Sequence, residues 1–175
     1  MSYLLSKSNK AQPADNGQVQ KVTPQSAGWE YVGFEMYHLQ NGQVLSLNTE
    51  NTEACFVLVA GKATVKTAQQ TFEHIGNRSA PFEKVPPYSV YVPHNQAVEI
   101  KAESYLELAV CRAPSNGSLP VRLIAPENVG VEMRGHGTNK RLVHNILPET
   151  ETADALLVVE VFTDEGNTSS FPSHK

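Results

Sequence analysis

The sequence predicts an all-β protein, and three observations lead to this prediction. Apolar residues either alternate with polar ones or form short runs rich in valine, leucine and phenylalanine, which is typical of strands. Groups of glycine, proline and asparagine separate these clusters at short intervals. No convincing 3.6-residue period extends over a dozen residues. Strands at such short spacing indicate a sandwich or a barrel.

Composition and charge limit the partners that the chain can have. Of its 175 residues, 40% are hydrophobic and 18% are charged, so the chain can form a core and is not expected to be disordered. A formal net charge of -4 disfavours binding to nucleic acid through a basic surface but allows a small polar or anionic substrate. The longest apolar run, residues 54–60, has the length of a strand and not of a membrane span. We therefore expect no nucleic-acid or membrane partner.

The first 125 residues are predicted to contain most of the strands. Residues 1–23 are polar and are expected to form a loose arm or an edge strand. Gly61 and Lys62 separate two apolar segments and predict a hairpin between them. The strands predicted in this part cover residues 29–39, 43–47, 55–60, 63–66, 88–93, 98–102, 105–111 and 121–125.

A second unit is predicted after a linker at residues 113–120, where two prolines together with glycine and serine interrupt helix and strand alike. We place the boundary between residues 1–115 and residues 116–175. A turn and the end of the sequence follow the last apolar strand, so we expect further chain, or alternatively a partner, to complete this unit. Its predicted strands cover residues 131–134, 140–147 and 155–163.

Several long motifs, in order and at compatible spacing, resemble one family. RGHGTNKRLVHNIL at residues 134–147 is followed by LLVVEVFT and then by GNTSSFPSHK at residues 166–175. The earlier motifs are GWEYVGFEMYHL, CFVLVAGKATV, PYSVYVPHNQAVEI and LELAVCRAP. Together they resemble the 5-deoxy-glucuronate isomerases of bacterial myo-inositol catabolism, and the resemblance covers nearly all of the sequence.

This resemblance implies both a fold and a metal. Family members are bicupins with two double-stranded β-helix (jelly-roll) barrels in one chain, so residues 116–175 would begin a second barrel that is incomplete in this sequence. In the family that barrel holds a divalent ion, zinc or manganese-like, through histidines and a glutamate, and His174 matches the first ligand. Thr168 and Ser173 stand where the family usually has tryptophan and proline, which leaves the details of this loop open.

The first barrel is expected to be structural and free of metal. A cupin's first motif, counted back from Gly61, would place histidines among residues 47–50 and a glutamate at position 54. No histidine occurs there, position 54 is alanine, and Glu53 is one residue away. In the second motif, Val98 replaces the ligand histidine.

Three further histidines are interpreted as structural residues. His38 shares its alternation with Phe34 and Met36, which favours a core or strand-end position over a role as a ligand. His94 has no second candidate ligand nearby in the sequence and is expected in a loop. His74 is expected in a polar loop, where it indicates little about function.

The stretch between Met133 and His144 has basic residues and no acidic one. Since the resemblance implies a sugar-acid substrate, this stretch is a candidate carboxylate-binding site. Arg141 is the first choice, because the forked guanidinium suits a carboxylate, and Arg134 is the second. Solvated charges on a hairpin explain the same pattern equally well.

The implied function is isomerisation of 5-deoxy-glucuronate to 5-dehydro-2-deoxy-gluconate, an aldose–ketose interconversion. The enzyme is expected to be a cytoplasmic homo-oligomer whose catalytic residues lie mostly beyond Lys175. Two alternatives stay open: the related isomerase of pectin degradation, acting on a 4-deoxy-5-keto-uronate, and a metal-free β-barrel that binds a ligand or mediates assembly.

The first testable prediction concerns Cys55 and Cys111. Each lies in an apolar segment that is typical of a strand, and two cysteines are too few for a disulfide scaffold. Buried free thiols and a single bridge both fit the sequence. Because a cytoplasmic enzyme is kept in a reducing compartment, we expect both thiols to be free. Thiol titration of the denatured, unreduced protein should detect both groups, and finding none would contradict the cytoplasmic assignment.

Overall fold

The computed structural model describes residues 6–169, which fold almost entirely into antiparallel strands and confirm the all-β prediction. The regular structure of the described residues also includes one short helix, α1 (Pro24–Ala27), and three 3-10 turns (Pro81–Glu83, Pro126–Asn128 and Gly137–Asn139). No helix in this part of the chain is long and apolar enough to cross a membrane. The strands are β1 (Gln18–Val22), β2 (Gly33–Leu39), β3 (Val44–Asn48), β4 (Thr52–Ala60), β5 (Ala63–Thr67), β6 (Thr71–Ile75), β7 (Ser89–Val92), β8 (Ala97–Ala102), β9 (Leu106–Pro114), β10 (Arg122–Ile124), β11 (Gly130–Arg134), β12 (Arg141–Leu147) and β13 (Val158–Thr163).

These strands form three sheets. The six-stranded sheet has the order β1-β2-β9-β4-β7-β10, the four-stranded sheet β3-β8-β5-β6 and the three-stranded sheet β11-β12-β13. One apolar core, which includes Phe56 and Ile100, lies between the six-stranded and four-stranded sheets. A second core, which includes Val57 and Leu147, joins the opposite face of the six-stranded sheet to the three-stranded sheet. The six-stranded sheet is therefore the middle layer.

The central position of β4 explains its sequence. Ala54 and Phe56 face the first core, whereas Cys55 and Val57 face the second. A strand that is covered on both faces needs apolar side chains on both, so its sequence is a continuous apolar run and not an alternation. The run CFVLVA therefore marks the strand on which both cores are built.

The predicted hairpin at Gly61 is wrong. β4 pairs with β7 and β9, whereas β5 pairs with β6 and β8 in a different sheet. Gly61 has a φ of 97°, and a Cβ at this position would collide with the carbonyl oxygen of Tyr105. Glycine lets the chain turn sharply here and cross between layers. The turn signal located the change of direction but not the partner strand.

The predicted loop around His74 is also wrong, because this residue lies in β6. β6 forms an edge of the four-stranded sheet and leaves most of its side chains exposed, so it lacks the alternation that would have revealed it. His74 itself has a φ of 55°, and its Nδ1 lies 2.8 Å from Oε2 of Glu103 on the surface.

The N-terminal segment and the predicted linker both have defined places. β1 pairs with β2 at the edge of the six-stranded sheet, which confirms the edge-strand alternative for that part of the arm. Residues 115–120 contain no helix or strand, although β9 continues through Pro114. β10 follows the boundary predicted at residue 115 and pairs with β7, so it belongs to the six-stranded sheet.

The two cysteines face each other across neighbouring strands. Cys55 of β4 is the register partner of Cys111 in β9, and both are free thiols in this structure. Burial raises the pKa of the Cys111 thiol to about 11, which keeps it protonated at neutral pH. Burial also raises the pKa of the Cys55 thiol, with a contribution from neighbouring Cys111.

Glu53 joins the middle layer to the segment before β13. This residue is fully buried on the face of β4 that also carries Cys55 and Val57 and is directed towards the three-stranded sheet. Its carboxylate accepts hydrogen bonds from the backbone N–H groups of Asp154, Ala155 and Leu156, at donor–acceptor distances of 2.9, 2.6 and 2.5 Å. The hydroxyl of Tyr91 donates a fourth bond at 2.5 Å. Because a buried carboxylate is costly without partners, these four donors make the position possible.

The second prediction tests this contact with the substitution Glu53→Gln. The neutral amide is a weaker acceptor and directs its own N–H donors at backbone N–H groups, so the free energy of unfolding should fall by about 3 kcal/mol. Urea denaturation measures the change. Glu99→Gln, at an exposed position of β8, is the matched control and should leave the midpoint unchanged. Equal midpoints for the two variants would contradict the role given to Glu53.

Candidate functional site

The two arginines predicted to bind a carboxylate lie directly opposite each other. Arg134 at the end of β11 is the register partner of Arg141 at the start of β12. Directly opposed residues of antiparallel strands share a face of the sheet. The fold therefore brings the two predicted residues together at one end of the three-stranded sheet.

Their guanidinium groups have different partners. Arg134 donates from Nε and Nη2 to Oε1 of Glu132, at 2.8 and 2.6 Å, and from Nη2 to the side-chain oxygen of Asn145 at 2.9 Å. Glu132 lies just before the acid-free stretch, so the structure neutralises this arginine with a residue that the prediction did not consider. Arg141 donates to the backbone and side-chain oxygens of Asn139 and has no acidic partner among residues 6–169. Of the two arginines, Arg141 is the better placed to bind an anion.

A buried charged cluster connects the same sheet to the middle layer. Arg78, whose side chain is 1% exposed, donates to Glu160 at 2.9 Å from Nη1 and at 2.5 Å from Nη2. It also donates to the carbonyl oxygens of Val59 and Val85. Nδ1 of His144 lies 2.9 Å from Oε2 of the same glutamate. The bidentate Arg78–Glu160 pair fixes β13 against the end of β4.

Among the described residues, His144 has features of a metal ligand. His144 pairs Nδ1 with a carboxylate and leaves a buried Nε2 without a hydrogen-bond partner, which resembles the arrangement of a metal-bound histidine. A metal site needs about three protein ligands, and residues 6–169 bring together no group of three histidines, cysteines or acidic residues. The described part of the chain therefore brings together no complete set of ligands for the implied metal. The predicted ligand His174 lies outside the described residues.

Two of the remaining histidines, His94 and His38, are engaged in local contacts. His94 lies in the loop between β7 and β8, as predicted, and its Nδ1 lies 2.7 Å from the carbonyl oxygen of Gly117. His38 lies near the end of β2, where Nδ1 is 2.8 Å from the hydroxyl of Tyr105. Phe34 and Met36, which lie on the same face of β2 as His38, are half-buried. The opposite face of β2 contributes to the first core.

Sequence reasoning missed Arg78 and Glu160, although one of them carried a signal. Glu160 is the only charged residue in the predicted strand ALLVVEVFT, and a carboxylate within such a run needs a buried partner. Arg78 lies in a polar segment and is separated from Glu160 by 82 positions. Nothing in its neighbourhood in the sequence indicates that contact.

The described residues thus define an all-β protein in which a buried ion pair and a buried carboxylate hold an outer sheet against a middle sheet that packs on both faces. A sequence model of the KduI/IolB family matches residues 4–175 of the chain. The chain therefore belongs to the KduI/IolB family.

Relatives with known names or structures cover nearly the whole chain. The chain is 59% identical to 5-deoxy-glucuronate isomerase of Geobacillus thermodenitrificans, with 93% of this chain and 60% of that protein covered. It is 56% identical to the enzyme of the same name from Geobacillus kaustophilus, with 100% and 63% covered. An IolB-like protein from Salmonella typhimurium has a similar crystal structure, with a TM-score of 0.90, 54% identity and coverage of 97% and 63%. The chain spans less than two thirds of the length of these relatives.

Proposed function

We propose that this protein is part of a 5-deoxy-glucuronate isomerase, which converts an aldehyde sugar acid to its keto isomer. One observation carries the proposal: 59% identity over 163 residues to a relative of that name. Identity at this level over 93% of the chain makes a shared activity the simplest explanation. The alternative substrate, a 4-deoxy-5-keto-uronate, belongs to the same class of reaction and serves as a comparison in the assay.

The reaction has requirements that this chain meets in part. Aldose–ketose isomerisation moves a proton between neighbouring carbons through an enediol, so it needs a general acid and base and a stabiliser of negative charge. It also needs a group that holds the substrate carboxylate. We assign that role to Arg141, whose guanidinium can form two parallel hydrogen bonds with a carboxylate. Arg134 is a weaker candidate because Glu132 already engages it.

A divalent ion, zinc or manganese-like, is part of the proposal through the predicted ligand His174. Residues 6–169 contain no group of three ligands, so at least some further ligands would come from elsewhere in the protein. The relatives are longer than this chain, and we propose that the portion it does not span supplies them. No ligand is assigned to the first unit, residues 1–115, which we propose to be a structural, metal-free barrel.

The proposal includes a fold and an assembly. We infer two jelly-roll cupin units, of which residues 116–175 form the beginning of the second. We also infer a cytoplasmic homo-oligomer. β1 is an edge strand, and an edge strand can extend a sheet into a partner.

The activity is tested with the purified full-length protein, 5-deoxy-glucuronate and proton NMR of the product. We expect the aldehyde substrate to be consumed with appearance of the keto isomer, and a 4-deoxy-5-keto-uronate to react more slowly. Faster reaction of the second substrate would transfer the assignment to the pectin-type enzyme. No reaction with either substrate would favour a binding or assembly module.

The third prediction concerns Arg141→Ala in the full-length enzyme. If Arg141 holds the carboxylate equally in the ground and transition states, the KM should rise about tenfold with little change in kcat. Steady-state kinetics measures both parameters. Arg134→Ala is the matched control on the facing strand and should change the KM less, because Glu132 already occupies its guanidinium. Unchanged kinetics for Arg141→Ala would identify it as a solvated surface charge.

The fourth prediction concerns His174→Ala. Loss of one of about three protein ligands should remove both bound metal and isomerase activity, while the circular dichroism spectrum should be unchanged. Metal analysis of the purified variant gives the content per chain. His74→Ala, which removes an exposed histidine of β6 in the four-stranded sheet, far in sequence from the predicted ligand, should retain metal and activity. Normal metal content together with full activity in His174→Ala would refute the assignment.

A further inference from the structure

A cavity of about 830 Å³ opens at one end of the six-stranded and four-stranded sheets, remote from His174 in sequence. We call it the mouth; β1, the segment around α1 and the ends of β2, β3, β4 and β9 line it. Its volume lies within the range of about 300–1,000 Å³ that is typical of small-molecule sites. Neither the predicted carboxylate-binding arginines nor Glu160 line it.

The floor of the mouth is a connected polar network. Nε of Arg112 donates to Oε1 of Glu35 at 2.9 Å, and the hydroxyl of Tyr37 donates to Oε2 of the same carboxylate. The side-chain amide of Gln18 donates to the hydroxyl of Tyr37 at 2.9 Å. Nη1 of Arg112 is held by the carbonyl oxygen of Asn48 at 3.1 Å. Nη2 of Arg112 donates to no residue in the described part of the chain.

Filling this end of the sheet with a buried ion pair costs more desolvation energy than filling it with apolar side chains. Glu35 is 6% exposed, and beyond Tyr37 the same face of β2 continues into the apolar core at Leu39. Burying an ion pair costs desolvation energy that apolar residues of similar volume avoid, so a buried pair is weak evidence for a contribution to stability. A polar floor under an open cavity instead provides oriented donors and acceptors for a polar ligand.

The charges around the mouth determine which polar ligand fits. Two cationic residues, Lys21 and Arg112, line it, together with three acidic residues, Glu30, Glu35 and Glu50. The acidic excess disfavours an anion, and Glu35 already compensates Arg112. A neutral ligand with several hydroxyl groups can donate to carboxylates and accept from the guanidinium and amide groups without a net charge.

The rim adds an aromatic surface. Tyr31 lines the mouth and is 56% exposed, and no hydrogen bond holds its hydroxyl among residues 6–169. An exposed aromatic ring beside hydrogen-bonding groups can pack against the C–H face of a saturated ring while the hydroxyls of that ring bind the polar floor.

We propose that the mouth binds a neutral, polyhydroxylated ring of monosaccharide size. Its hydroxyls contact Nη2 of Arg112 and the remaining lone pair on Oε1 of Glu35, because Oε2 already accepts from Tyr37 and from the side-chain amide of Gln18. Its C–H face packs on Tyr31. Neither Arg134 nor Arg141 lines the mouth, and the mouth takes an uncharged ligand where the proposed isomerase takes a sugar acid. The proposal does not depend on the isomerase activity.

The fifth prediction is tested by saturation-transfer-difference NMR on the full-length protein with D-glucose, D-galactose, D-xylose and a cyclitol, and with D-glucuronate as the charged comparison. We expect transfer to the ring protons of at least one neutral compound. For D-glucuronate, which can also bind the proposed isomerase site, we expect a smaller Tyr31-dependent signal than for that neutral compound. Tyr31→Ala should weaken the binding about three- to tenfold, because it removes an exposed aromatic contact without disturbing the network below. Phe82→Ala removes an aromatic residue that is 83% exposed and does not line the mouth, so it should have no effect.

A second variant tests the role of charge at the rim. Glu30→Gln balances the positive and negative charges of the lining and should raise the signal of D-glucuronate relative to the neutral compounds. The proposal is overturned if no neutral compound shows transfer, if Tyr31→Ala and Phe82→Ala bind equally well, or if the part of the D-glucuronate signal that is lost in Tyr31→Ala exceeds that of every neutral compound.

Discussion

The structure depends on one buried carboxylate, that of Glu53. It projects from the face of β4 that is directed towards the three-stranded sheet, and β4 contributes side chains to both cores. The carboxylate accepts hydrogen bonds from three consecutive backbone N–H groups at residues 154–156. Without it, the N–H group of the buried Leu156 would lack a partner shortly before the chain enters β13, and the neighbouring N–H groups of Asp154 and Ala155 would lose theirs. The Arg78–Glu160 pair makes a comparable connection from β13 itself. Apolar contacts bring the outer sheet and the middle sheet together, and these charged contacts determine where the outer sheet sits.

Much of the fold follows from patterns that are local in sequence. The alternation over β8 predicted this strand within one residue of its observed bounds. The alternation over β2 and the apolar run of β4 located these strands and their C-terminal ends correctly, but residues 29–32 were wrongly included in β2 and residues 52–54 were missed in β4. β6 was missed because an exposed edge strand needs no apolar face. The prediction of a hairpin at Gly61 was wrong because turn residues specify only a change of backbone direction. Which strand pairs with which depends on packing between the sheets, and β4 and β5 belong to different sheets.

The candidate sites were less predictable because their residues meet across long separations. Arg134 and Arg141 were found together, since a short connection joins their strands, but the neutralising role of Glu132 required the register. Arg112 and Glu35 are 77 positions apart, and neither stands out in its own segment. Glu53 was considered only as a displaced metal ligand. Its buried position in an apolar strand was the better signal, because a carboxylate there must find donors in another part of the fold.

The central claim is that Glu53 makes the outer segment and the middle sheet one cooperative unit. Native-state amide hydrogen exchange tests it most directly, since the amides of Asp154, Ala155 and Leu156 are the groups that bind the carboxylate. We predict that these three amides exchange only through global unfolding, at rates similar to those of the β4 amides of Phe56 and Val57. If the three amides exchange orders of magnitude faster than the amides of Phe56 and Val57, the account is contradicted.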